Sequence, residues 1–148
     1  MERKTMNLNL LKKEGNTLVS GVTLEALEKC EVSSGISFPD DYKALLQFSD
    51  GCMLKAATFV IFFSCGDGFH EKETLAFANA LIPDSGMYFI GRFAGEMFGY
   101  LKASDDHRIY SYFEESGEKT LIAKDLEEFA QKYLVDQPKK GFWASLFS

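Results

Sequence analysis

Residues 38–46 read Phe38-Pro39-Asp40-Asp41-Tyr42-Lys43-Ala44-Leu45-Leu46, and each member of the run favours the opening of a helix. Pro39 suits the first helical position, where a missing N–H costs nothing. Asp40 and Asp41 then fall in the first turn, where negative charge meets the positive end of the helix dipole. Tyr42, Leu45 and Leu46 follow at helical spacing, and Gly51 can take the left-handed conformation that closes a helix.

Upstream, Thr23 is a candidate N-cap for a short helix through Cys30 that Ser33-Ser34-Gly35 would end. The first 20 residues stay open. Met6, Leu8 and Leu10 alternate as in a strand, while Leu11 and the lysines after it suit a short helix equally well.

Downstream, residues 58–63 (Thr-Phe-Val-Ile-Phe-Phe) are apolar at both alternating positions, which predicts a central strand covered on both faces. A modest helix is expected over 71–80, with Leu75, Ala78 and Leu81 on one side and Pro83 as its stop. Strands are expected at 87–90, 97–101 and 107–113, with Gly95-Glu96 and Asp105-Asp106 as turns between them. A shorter strand at 120–123 follows the Ser116-Gly117 turn. Asp125 with Glu128 forms a capping-box-like start to a last helix, whose apolar stripe is Leu126, Phe129, Ala130, Tyr133 and Leu134. Pro138 marks its end. Antiparallel strands with helices before and after predict an α+β domain with a mainly antiparallel central sheet.

The bulk properties agree with one domain. A chain of 148 residues buries about 70% of its unfolded surface, and nearly half of this one is apolar, with fourteen phenylalanines. We therefore expect a single domain over 1–136 and an aromatic tail over 137–148. Cys30, Cys52 and Cys65 are odd in number and form no Cys-x-x-Cys pair. With only His70 and His107 beside them, no zinc spacing can be assembled. Reduced thiols serving as small apolar residues are expected.

The N-terminus carries charge without an apolar run, and no stretch approaches the ~20 apolar residues of a membrane span. Cytoplasmic residence is the expectation. The net charge of −6, with scattered basic residues, argues against nucleic acid, whose phosphates require a clustered positive face. An acidic surface instead steers basic proteins.

The ordered series Leu24-Glu25-Ala26-Leu27-Glu28, Phe38 to Leu46, Asp50-Gly51, Phe89-Ile90-Gly91, Gly95-Glu96, Arg108-Ile109-Tyr110, Ile122-Ala123 and Leu126-Glu127-Glu128-Phe129 resembles the SUKH superfamily. That superfamily takes in fungal cell-wall (glucan) synthesis regulators and many bacterial immunity proteins. The resemblance covers 22–136. Phe38 stands where the family usually has Leu, and Asp50 where Asn is commoner before Gly. Both keep the physical role. The resemblance implies a SUKH-like α+β scaffold that binds proteins and carries no catalytic residue set. Its bacterial members inactivate toxins by binding, and its fungal members imply a regulatory or scaffolding alternative.

Cys65, Asp67 and His70 supply the ingredients of nucleophilic catalysis, yet Gly66-Asp67-Gly68 reads more simply as a loop, which leaves a small Cys65/His70 hydrolase as a minor alternative. Gly91, Gly95 and Gly99 fall four apart and match no phosphate-binding pattern. Turns or bulges explain them better. Asp105-Asp106 and Glu114-Glu115 read as solvated turns rather than metal ligands. Tyr88, Phe98, Tyr100, Tyr110 and Tyr112 could form an aromatic face for a partner, although most of them read better as core. Tyr110 and Tyr112 share a strand face with Arg108, the composition of interface hot spots.

The expected partner-binding set is Asp67, Phe69, Glu71 and Glu96 in loops, Asp105 and Asp106 at a turn, and Arg108, Tyr110 and Tyr112. The expected partner is a protein such as a basic toxin domain. No cofactor and no metal are expected. The tail Gly141-Phe142-Trp143-Ala144-Ser145-Leu146-Phe147 either docks on the domain, self-associates or anchors on a partner or membrane surface.

Overall fold

A computed structural model of the chain describes residues 8–12, 14–55, 59–66 and 72–134. Its sheet has seven antiparallel strands in sequence order: β1 Thr17–Leu18, β2 Cys52–Lys55, β3 Phe59–Phe62, β4 Met87–Phe93, β5 Glu96–Leu101, β6 Ile109–Phe113 and β7 Glu118–Ala123. Four helices accompany it: α1 Leu24–Ser34, α2 Asp40–Phe48, α3 Leu75–Leu81 and α4 Leu126–Tyr133. The protein is α+β, as the sequence predicts.

Local signals set the helix ends. The Thr23 side chain accepts the Ala26 N–H, and Gly35 at φ +73° closes α1 with its N–H on the Glu31 and Val32 carbonyls. The helix therefore runs one turn past Cys30. Asp125 accepts from the Glu128 N–H at the start of α4, and Glu128 reaches back to the Lys124 N–H. In α2, Pro39 occupies the N-cap in extended conformation rather than the first helical position, and Ser49 ends the helix. Gly51, at φ +83°, turns the chain into β2 instead of capping α2.

The sheet departs from expectation at several points. Neither β1 nor β2 was anticipated, although the burial of Cys52 and Leu54 alternates with the wetter Met53 and Lys55 as in a half-covered strand. In β3, Val60 and Phe62 are buried, but Phe59 is 52% exposed, so that end of the strand is open on one face. The middle strand is β4. It continues through Gly91 to Phe93, and a two-residue turn, Ala94-Gly95, joins it to β5 with both residues at positive φ. The turn thus lies one residue earlier than expected, and Glu96 belongs to β5. Ile90 and Ile122 are bulged residues, skipped in the pairings of β4 with β5 and of β6 with β7.

Helix α3 begins at Leu75, its N–H groups capped by Thr74, several residues later than predicted. Leu75 and Ala78 are buried, but Leu81 is exposed, because at about 100° per residue it falls well to one side of the Leu75, Ala78 and Asn79 face that meets the sheet. The described start of the chain is a single 3₁₀ turn, Leu8–Leu11. The expected end at Pro138 lies outside the described residues.

Helices α2 and α4 cover one sheet face with an aromatic core, while α3 covers part of the other at Phe89. Register places Phe62 and Phe98 beside Gly91, and both rings pack on Phe129 of α4. Further along, Tyr88 pairs directly with Tyr100 and meets Phe38, while Tyr100 meets Tyr42 of α2. Aromatic contacts of this kind add about 1 kcal/mol each beyond their burial. Gly91 and Gly99 stand inside strands for lack of room. A Cβ on Gly99 would lie 2.0 Å from the Tyr88 carbonyl oxygen, and one on Gly91 would lie 2.4 Å from that of Ile61.

Candidate acidic binding cleft

The starts of α2 and α4 converge on the loop between β5 and β6. Asp41 makes the junction: its Oδ1 accepts from the Tyr42 N–H at 2.7 Å and its Oδ2 from the Leu126 N–H at 3.1 Å. One carboxylate therefore satisfies an orphan donor of each helix. Above it opens a cleft of about 770 Å³.

Six carboxylates line this cleft: Asp40, Asp41, Asp106, Asp125, Glu127 and Glu128. Among the described residues, only Lys43, Lys124 and His107 oppose them there, and the Lys43 ammonium is drawn toward Glu31 at 3.5 Å. The cause of the clustering is local. Helix starts favour acidic residues for their dipole and their unpaired N–H groups, and two such starts meet here.

Like charges in a half-buried place perturb one another. Burial pushes the Asp41 carboxyl above its ordinary value, and the nearby Asp125 pushes the same way. The hydrogen bonds from Leu126 and Tyr42 and the proximity of His107 oppose this without cancelling it. At the cleft margin, the Lys124 N–H holds Glu128 below its ordinary value. Beneath Asp41 lies Tyr100, 4% exposed. Its ring sits edge-on to His107, and its hydroxyl has no hydrogen-bond partner among the described residues.

The residues expected to bind a partner divide into three groups. Asp67, Phe69 and Glu71 lie outside the described residues, as do His70 and the aromatic tail. Asp106 lines the cleft, and its neighbour Asp105 is exposed in the same loop. Asp106 also orders that loop: its carboxylate accepts the Arg108 N–H at 3.0 Å and faces the Arg108 side chain at 3.7 Å.

The remaining four are not gathered there. Glu96 begins β5 at the far side of the Ala94-Gly95 turn. Arg108 directly precedes β6 and is tied to Asp106 in the loop. Tyr110 and Tyr112 share a strand face, by their pairing with Gly99 and Met97. Tyr112 is 9% exposed and packs edge-on against Phe89. It is core there, and only Tyr110 remains half-exposed.

Sequence reasoning placed Asp40 and Asp41 in the first turn of α2 and Asp125 with Glu128 in a capping box, and the structure has them there. It missed their convergence, and it missed Glu127. Acidic residues at two helix starts were a visible signal, but nothing in the sequence placed those starts side by side.

Among the described residues, no group of three or more His, Cys, Asp or Glu side chains has an arrangement that could hold a metal ion, and no helix is long and apolar enough to cross a membrane. No curated protein matches the chain. A comparison with known protein families, however, matches residues 21–132 to the SMI1/KNR4 family, SUKH-1, from just before α1 to the last turn of α4. That span is most of the chain and contains both helix starts of the cleft, and the protein belongs to this family.

Proposed function

We propose that the protein is a non-enzymatic binding protein of the immunity type, which acts in the cytoplasm and neutralises a cognate toxin by direct binding through the acidic cleft. The observation that carries this reading is the concentration of six carboxylates around one opening. Such a field draws a basic protein surface into register and raises its association rate. Membership of SUKH-1 supports a protein-binding role. The alternative, a regulatory scaffold in wall synthesis or signalling, uses the same cleft for a resident partner.

The experiment is co-expression with the product of the neighbouring gene, followed by purified binding at two salt concentrations. Relief of toxicity together with binding that weakens as salt rises supports the proposal. Asp40→Asn with Glu127→Gln should lower affinity by about tenfold or more while the protein stays folded. A toxic neighbour that does not bind, or binds with no dependence on these charges, overturns it. Stable co-purification with a housekeeping wall-synthesis protein favours the scaffold.

A further inference from the structure

Two cysteines far apart in the chain, Cys30 and Cys65, meet near Tyr88. Cys30 lies on the inner side of α1, 9% exposed. One turn later, Ser34 shares a 2.6 Å hydrogen bond with the Tyr88 hydroxyl, so this face of α1 is tied to β4. Cys65 follows the exit of β3, which runs antiparallel to β4. The pairing of Phe62 with Gly91 and the bond from the Phe63 N–H to the Ile90 carbonyl carry the chain along β4 before it turns away. Burial pushes the Tyr88 hydroxyl up, and both Cys30 and Cys65 lie close enough to push it the same way. The Cys65 N–H is held by Asp50 at 2.7 Å, which fixes the residue in place.

The two thiols share a hydrogen bond in this arrangement. We propose that Cys30 and Cys65 are a modification site, a dithiol that closes to a disulfide when the protein meets a hydroperoxide, joining α1 to the exit of β3.

The surroundings divide the roles. Cys65 donates to the Cys30 sulfur, and this, with Ser34, holds the Cys30 thiol below its ordinary value against the effects of burial and of the Asp50 and Glu31 charges. The same bond, burial and those charges push the Cys65 thiol up. Cys30 is thus the sulfur that reacts first, and the partly exposed Cys65 leaves a path for a small oxidant. The Cys30 thiolate attacks one peroxide oxygen, the O–O bond breaks, and water leaves once protonated, giving a sulfenic acid. The Cys65 sulfur then attacks Cys30, loses its proton and expels a second water. Two thiols and one hydrogen peroxide become one disulfide and two waters. Cys52 is fully buried on β2, its thiol pushed up to about 12 by burial, and it stays reduced.

The test treats the full chain with hydrogen peroxide and maps it without reductant by mass spectrometry. The expected result is loss of two hydrogens, a cross-linked Cys30–Cys65 peptide that dithiothreitol reverses, and an unfolding midpoint raised by about 5 °C. In Cys65→Ser, the sulfenic acid on Cys30 should persist and be trapped by dimedone. A folded protein whose thiols stay reduced while a denatured sample oxidises would overturn the proposal. So would sulfinic acid without a cross-link, or a disulfide through Cys52. Should Cys65→Ser fail to fold, mapping of the unsubstituted chain decides the matter alone.

Discussion

The carboxamide of Asn79 pairs with both peptide groups of Phe89: the Phe89 N–H donates to Oδ1 at 2.7 Å, and Nδ2 donates to the Phe89 carbonyl at 2.9 Å. A side chain on α3 thereby completes the hydrogen-bond ladder of β4 where β3 has already left it. The second Nδ2 proton goes to the Leu75 carbonyl at 2.9 Å, so the amide is fully directed.

Asn79→Ala removes these partners and leaves the Phe89 N–H and C=O unsatisfied in a buried strand. Each such group costs about 1–3 kcal/mol, so a loss of about 2–4 kcal/mol is expected by urea unfolding. Amide exchange should accelerate at Phe89 first. Asn79→Asp, which keeps the acceptor and loses the donor, should retain part of the protection at that N–H.

Gly99 and Gly95 separate two reasons for glycine. Gly99→Ala forces a methyl onto the Tyr88 carbonyl and should cost more than about 3 kcal/mol, seen as insoluble or unfolded protein. Gly95→Ala meets nothing within 4 Å and must only bear φ +81°, at about 1 kcal/mol. A comparable loss at both positions would contradict the packing of β4 on β5.

Asp41 sets a pH dependence with a definite sign. Its folded carboxyl titrates above the unfolded value, so the native state takes up this proton first as pH falls. Its contribution therefore favours folding below the unfolded value and is lost as pH rises through the folded one. Asp125→Asn keeps a competent cap and removes one of the charges pushing Asp41 up. NMR titration of the Asp41 carboxyl should show a midpoint above the ordinary aspartate range that drops in Asp125→Asn. An unmoved midpoint would show that the two carboxylates do not sense each other.

Tyr42 and Tyr100 bury hydroxyls without a partner among the described residues. Tyr42→Phe and Tyr100→Phe should each leave stability unchanged or raise it by about 1 kcal/mol, where a bonded tyrosine would lose that much. Denaturant midpoints of the two variants decide this.

Much of the architecture was legible because it is local. Thr23, Gly35 and Asp125 act on donors and acceptors within a few residues, and the strands between Met87 and Ala123 stand out as apolar runs set off by turn residues. Where neighbours decided, local reading failed. The four-residue β2 was too short to register against the start of β3. Tyr112 was read as an interface residue because alternation places it beside Tyr110, and only Phe89 across the sheet shows that its face is partly filled.

The amino-acid order by itself determined the starts of α1, α2 and α4, the antiparallel strands from β4 to β7 and the acidic character, since caps, periodicity and charge act over one or two turns of chain. Tertiary structure alone decided that Asp41 would meet Leu126, 85 positions away, that Cys30 would face Cys65, and that Asn79 would finish a strand. Such meetings depend on sheet register and helix placement, which are set by the packing of the whole core and leave no mark at either partner's position.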